Sequence, residues 1–225
     1  METIGFATIG QTPRDDLVPY LMERLPRGVR ALEGGVLDGL SAEEMAELDR
    51  GGEGLHMVTR LRDGGSARIA YAEALPRMQR VVDDLVARGA ELVVILCGAD
   101  WSAVRAPVPV VNPGRLFPDV IRALAGRSRL GVVRPDAGQV AGTLRQYRDE
   151  FGLDAVVTHA FPYDESAVDN ARAAAVKLTA EGAELIWMTC VGMGEEMRDA
   201  VRQVTNKPVV LARSLLARVV AELVS

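Results

Sequence analysis

The chain is poor in metal-binding side chains, with two cysteines, Cys97 and Cys190, and two histidines, His56 and His159, in 225 residues. These four cannot be arranged in any familiar closed zinc spacing, so no metal is expected. No run of about 18 apolar residues occurs, which argues against a membrane-spanning helix. Met1 leads straight into the strand-like segment Thr3-Ile4-Gly5-Phe6-Ala7 without a basic leader, so a cytoplasmic protein with no membrane partner is expected. In that reducing setting a structural disulfide is disfavoured, and the two cysteines must be core residues or chemistry. Positive charge is also short, 26 Lys and Arg against 31 Asp and Glu for a net charge of −5. The arginines are scattered rather than clustered with aromatics, so nucleic acid is not an expected partner. The Gly-x-Gly-x-x-Gly fingerprint after the first strand and the Walker loop are both missing, and chemistry with no cofactor is expected by elimination.

What is present suits a globular protein: 48% of residues are apolar and 25% charged. Apolar runs of strand length alternate with amphipathic stretches of helix length, the signature of a mostly parallel sheet covered by helices. The pattern predicts strands near 3–8, 29–33, 92–97, 108–111, 129–133, 154–158, 184–189 and 208–211. Helices are expected near 14–25, 71–88, 115–125, 137–150, 165–181, 194–203 and 213–223. Leu55 to Ile69 breaks this rhythm by alternating around Asp63-Gly64-Gly65, which reads as a β-hairpin. Before it lies an acidic helix at 41–49 whose Glu43, Glu44, Glu47 and Asp49 form a solvated face. Together they read as an insertion near 34–70.

An internal repeat organises the rest. The segment Arg88-Gly89-Ala90-Glu91-Leu92 through Leu96-Cys97 aligns with Glu181-Gly182-Ala183-Glu184-Leu185 through Thr189-Cys190 at a constant offset of 93. Further on, Pro109-Val110-Val111 and the helix containing Leu116, Val120 and Ile121 match Pro208-Val209-Val210 and the helix containing Leu215, Val219 and Val220 at an offset of 99. Upstream, Ile4-Gly5-Phe6 resembles Leu130-Gly131-Val132 at an offset of 126, the difference being absorbed by the insertion. The expected fold is therefore α/β, with two pseudo-symmetric, doubly wound, parallel-sheet halves. Residues 1–126, with the insertion, form the first half and 127–225 the second. Ligands of open α/β sheets bind outside the carboxyl ends of strands, so Cys97 and Cys190 are expected to face one cleft from opposite sides.

The residues around each thiol allow two readings. Gly98-Ala99-Asp100 follows Cys97, and Val191-Gly192-Met193-Gly194 follows Cys190. Small residues let backbone N–H groups approach a carboxylate or a developing oxyanion beside the sulfur. Free cysteine is equally a common core residue, inert when buried in apolar surroundings. In Thr8-Ile9-Gly10-Gln11-Thr12-Pro13-Arg14, Pro13 suits a first helical turn and Arg14 either forks onto a carboxylate or pairs with Asp15 or Asp16. Arg115, in Asn112-Pro113-Gly114-Arg115, has the same two options. Asp100 and Trp101 border Cys97, whereas Trp187 and Met188 read as packing residues. His159 ends a predicted strand and is either a helper of a cysteine or a solvated side chain; His56 begins the hairpin.

Taken together, Thr8 to Arg14, Leu37-Asp38-Gly39-Leu40, Asn112 to Arg115 and the Cys190 segment resemble the AroM family of bacterial proteins over essentially the whole length. The family name reflects an association with shikimate-pathway genes. More distantly, twin cysteines on duplicated α/β halves look like the aspartate/glutamate racemase superfamily, which includes hydantoin racemases, maleate isomerases and arylmalonate decarboxylases. That resemblance implies a reaction without pyridoxal phosphate on a small carboxylate, and assembly as a homo-oligomer. It implies that one of Cys97 and Cys190 takes the α-proton as thiolate while the other returns a proton to the opposite face as thiol. Substrate contacts would come from backbone N–H groups of Gly98, Ala99, Val191 and Gly192, with Thr8, Gln11, Arg14 or Arg115 as side-chain candidates. The sequence departs from the racemase pattern in carrying Gly98-Ala99 after the first cysteine where Asn-Thr is usual, which separates it from amino-acid specificity. A cysteine-dependent lyase, or a non-enzymatic binder of an aromatic-pathway metabolite, are the alternatives.

Overall fold

Every residue of the first strand, Thr3–Thr8, is buried. Alternate side chains of a strand point to opposite faces, so a strand without an exposed position is covered on both sides, as parallel strands are. In the computed structural model, which describes residues 1–50 and 54–224, the elements run in order from this strand. They are β1 (Thr3–Thr8), α1 (Val18–Met22), β2 (Arg30–Gly35), α2 (Ala42–Asp49), β3 (His56–Arg60), β4 (Ser66–Ala70), α3 (Tyr71–Ala87), β5 (Leu92–Ile95), β6 (Val110–Val111) and α4 (Pro113–Ala125). The chain continues through β7 (Leu130–Arg134), α5 (Val140–Arg145), β8 (Ala155–His159), α6 (Ala167–Ala180), β9 (Leu185–Met188), α7 (Glu195–Val204), β10 (Val209–Leu211) and α8 (Ala212–Val224). A π-helical turn, Gln146–Glu150, extends α5. None of the described helices is long and apolar enough to cross a membrane.

The chain divides into two compact units, Met1–Leu116 with Leu216–Ser225, and Phe117–Leu215. The first holds a parallel sheet in the order β2-β1-β5-β6, the second a parallel sheet in the order β8-β7-β9-β10. Matching strands by position in the repeat makes the two orders identical. Parallel neighbours are joined by long crossovers that usually carry a helix: α1 and α5 follow the first strands, and α3 and α6 lead into β5 and β9. The units differ in two places, since α2 and the antiparallel β3–β4 hairpin are added to the first, and β5 reaches β6 without a helix where α7 joins β9 to β10. The α/β class and the duplication are as expected.

The repeat is visible at the level of single hydrogen bonds. Helix α3 ends on Gly89 at φ +94° and α6 on Gly182 at φ +81°, a conformation that needs no Cβ. Ala90 N–H then donates to Leu85 O and Ala183 N–H to Leu178 O, both at 3.0 Å, closing the same cap on each helix. Next, Glu91 accepts from Thr3 N–H at 3.1 Å and Glu184 from Arg129 N–H at 3.0 Å, tying the cap to the first strand of its unit. A Cβ on Gly5 would lie 3.1 Å from Ala90 Cβ, and one on Gly131 would lie 2.9 Å from Ala183 Cβ. The missing side chain is what lets each first strand pass close to its helix.

One local expectation differs from the structure. Pro13 is not in a helical turn: α1 begins at Val18, with Pro19 in the first turn, because Arg14 O accepts the Leu17 and Val18 N–H groups and makes the preceding residues a turn. The acidic helix does have a solvated face, and it is fixed by a capping box in which Ser41 and Glu44 exchange hydrogen bonds.

Candidate active site

In the first unit Cys97 follows β5 and is 8% exposed, inside a core with Ile9, Met57, Ile69, Trp101 and Val104. Its Sγ lies 3.6 Å from Met57 Sδ, which comes from the hairpin strand β3. The turn after the sulfur runs outward, with Gly98 and Asp100 exposed and Ala99 partly so. It is held by the start of α4. Asn112 Oδ1 accepts both Trp101 N–H and Gly114 N–H at 3.2 Å, the second being an N-cap bond, and Pro113 occupies the first helical position. A Cβ on Gly114 would overlap the Ala99 carbonyl, so this glycine is the room in which the turn sits. Burial alone would raise the Asp100 carboxyl, but hydrogen bonds from Ser102 and Asn112 outweigh it and hold the group below the ordinary carboxylate range, with Arg115 adding to the effect. Tyr71 donates to Asp100 O at 2.5 Å, and its ring packs at a tilt against Trp101 with the centroids 5.1 Å apart. Burial pushes the Tyr71 hydroxyl up, and the neighbouring Asp100 and Cys97 push it the same way.

The turn after β1 carries the other candidates of this unit. Thr8 is fully buried, and its Oγ1 accepts from Gly10 N–H at 3.2 Å and from Arg14 at 2.9 Å. Arg14 is 3% exposed and forks onto both oxygens of Asp16 at 2.8 and 2.9 Å. Gln11 accepts from Arg62 N–H at 3.1 Å. Asp38, from the Leu37-Asp38-Gly39-Leu40 stretch, accepts from Gly35 N–H, Thr12 N–H and Thr12 Oγ1, which pins the turn to the end of β2. Arg115 is exposed, with its guanidinium 3.4 Å from Ser102 Oγ.

In the second unit Cys190 follows β9 at the equivalent place and is half-buried. Gly192 N–H donates to its Sγ at 3.3 Å, a bond that is charge-assisted when the sulfur is a thiolate. The turn faces inward, Val191 to Gly194 all being buried. Its carbonyls are gripped by Arg213, itself buried, which donates to Val191 O at 3.0 Å and to Gly192 O at 3.1 Å. A Cβ on Gly192 would overlap the Tyr163 hydroxyl, so that phenol lies against the cysteine turn. Trp187 and Met188 are core residues, Trp187 donating to Tyr147 at 3.1 Å. His159 ends β8 and is exposed. Among the described residues no group of three His, Cys, Asp or Glu side chains is gathered to hold a metal ion.

A sequence model of the family described as "AroM protein" matches residues 4–224. The chain belongs to the AroM family. No curated protein matches the sequence. Among solved structures, this AroM chain is similar to arylmalonate decarboxylase, unliganded, with 16% identity, a TM-score of 0.61, and coverage of 100% of this chain and 92% of the other. It is similar to an aspartate racemase homologue from Pyrococcus horikoshii OT3, with 14% identity, a TM-score of 0.58, and coverage of 100% and 99%. It also resembles the maleate isomerase Iso from Pseudomonas putida S16, with 15% identity, a TM-score of 0.58, and coverage of 99% and 92%. At such identities the likeness is one of fold.

Within the AroM chain, Arg213 and Met57 are neighbours of the two thiols that the sequence pattern does not single out. Arg213 had a usable signal, since at the repeat offset of 99 it stands where the first half has Gly114. A charged residue replacing a glycine at a strand-to-helix junction marks a different way of holding the same turn.

Proposed function

We propose that this protein is a cofactor-independent isomerase, racemase or epimerase of a small carboxylate, with Cys190 as its essential thiol and Cys97 as the second. The observation that carries this is the amide N–H of Gly192 donated to the Cys190 sulfur, in a turn whose carbonyls are held by Arg213. A sulfur so placed is set up to act as a base or nucleophile. Proton removal next to a carboxylate leaves a poorly stabilised carbanion, and donors near the carboxylate must supply the balance. The N–H groups of Gly98, Ala99 and Val191 are the proposed donors, while that of Gly192 serves the sulfur. Arg115 is the better placed of the two cations, because Arg14 would have to release Asp16. Thr8 and Gln11 complete the proposed substrate contacts. The two-base form makes one further demand, that Cys97 and Cys190 reach opposite faces of the same carbon.

A single-thiol lyase or cis–trans isomerase is the second reading, favoured by the burial of Cys97 against Met57. Solvent-deuterium incorporation into a panel of small carboxylic acids, followed by NMR or mass spectrometry, tests both. Racemisation requires both thiols, so Cys97→Ser stops it while sparing α-proton exchange in one enantiomer. Single-thiol turnover survives Cys97→Ser. Unimpaired turnover in Cys190→Ser sinks the proposal.

A further inference from the structure

The hairpin that distinguishes the first unit from the second touches the carboxyl end of its sheet through one face of β3. Met57 and Thr59 are two residues apart and therefore share that face. Met57 meets the Cys97 sulfur, and Thr59 Oγ1 sits where a Cβ on Gly10 would fall, against the turn after β1. Beyond β3, Arg62 holds the same turn: its Nε donates to Thr12 O at 2.6 Å, its guanidinium reaches Asp38 at 3.4 Å, and its backbone N–H donates to Gln11. These bonds are at the surface, Arg62 being 60% exposed, whereas the contacts they keep shut are in the core. Two polar atoms in this region lack a hydrogen-bond partner among the described residues, although their side chains are only 1% exposed: Thr59 Oγ1 and Trp101 Nε1. Trp101 packs at a tilt against Tyr71, the residue that follows β4. Buried polar atoms are normally paired, and these two belong to the hairpin and to the core it packs on, so this contact is left polar and unsatisfied among the described residues.

We infer that the β3–β4 hairpin is a latched cover over Cys97, with Met57 the side chain that masks the thiol and Arg62 the latch. Met57 is then a specificity-determining residue: it decides whether the second thiol takes part, and so whether the protein performs two-thiol or single-thiol chemistry. That consequence rests on the function proposed above, whereas the cover itself does not.

The test is alkylation of each thiol with iodoacetamide under native conditions, read peptide by peptide by mass spectrometry, with Cys190 as the internal standard. In the wild type Cys97 should react at least roughly tenfold more slowly than Cys190, since a masked group reacts only through local opening. Met57→Ala should raise the Cys97 rate by about tenfold without changing that of Cys190, and Arg62→Ala should raise it by a smaller factor. Met57→Leu keeps the bulk and should leave Cys97 slow. Equal rates in the wild type overturn the cover, as does an unchanged Cys97 rate in both Met57→Ala and Arg62→Ala. A rise at both thiols together in Arg62→Ala, a surface substitution, also counts against it, because it means general unfolding rather than a local latch. If no carboxylate is turned over but Cys97 is masked and released as described, the enzyme reading fails and the cover stands.

Discussion

Cys97 and Cys190 occupy one position in the two copies of the repeat, just after β5 and just after β9, and their surroundings differ in kind. The Cys97 sulfur touches another sulfur, Met57 Sδ, and its turn points outward. The Cys190 sulfur receives an amide N–H, and its turn is buried. Both turns are held by the residues that follow the outermost strand, but with opposite means. In the first, an asparagine accepts from the turn and a glycine makes room for it; in the second, an arginine donates to the turn's carbonyls. The lesson is that the repeat preserves the frame while the contents of each turn are set independently.

The sharpest way to break this comparison is to remove each thiol in turn. Cys190→Ser should lower any turnover by about 10²–10⁴-fold, the weight of a general base, as measured by deuterium exchange. Cys97→Ser should cost less if the single-thiol reading holds, and comparable losses would erase the asymmetry. Next in size is Arg213→Ala, which strands two buried carbonyls at roughly 1–3 kcal/mol each in urea unfolding. Arg213→Lys should recover only part of this, because an ammonium cannot reproduce the planar fork.

A third test sets two glycines against each other. Gly114→Ala would drive a methyl group into the Ala99 backbone and should destabilise by about 1–3 kcal/mol. Gly192→Ala meets the tip of Tyr163 instead, and should cost less because that side chain can swing aside. Equal losses in thermal unfolding would show that the second turn is as rigid as the first.

The smallest effect is acid sensitivity confined to the first turn. The Asp100 carboxyl is depressed in the folded protein, so its contribution is complete above the unfolded value of about 3.9 and is lost as pH falls through the lower folded value. Urea unfolding of wild type and Asp100→Asn should therefore differ at pH 6, and the difference should begin to shrink only as the pH falls below about 4. A constant difference across that range would remove Asp100 from the account.

Much of the frame was legible because it is written in local patterns. Buried parallel strands such as Leu92–Ile95 are unbroken apolar runs, and Gly89-Ala90-Glu91 and Gly182-Ala183-Glu184 each encode a cap, a packing contact and a tether in three residues. The hairpin was legible from Asp63-Gly64-Gly65, and β3 and β4 pair around it. The length of α1 was not, because the backbone turn at Arg14 is stabilised by Glu33, a residue 19 positions away. Nor was the partner of Arg14, since two adjacent aspartates and a substrate are equivalent in one dimension and only the fold selects Asp16. The contact of Met57 with Cys97 joins an inserted segment to the repeat, and no periodicity carries that information.

The first unit, Met1–Leu116 with Leu216–Ser225, draws its last piece from the far end of the chain. On a ribosome the consequence is one of timing. All four strands of its sheet and the cysteine turn emerge first, yet the stretch beginning at Leu216 follows only after the whole second unit. At synthesis rates of about 5–20 residues per second that delay is several seconds or more. The half that is made first is thus the half that is finished last, and the second unit, contiguous from Phe117 to Leu215, can close while its elder twin is still waiting.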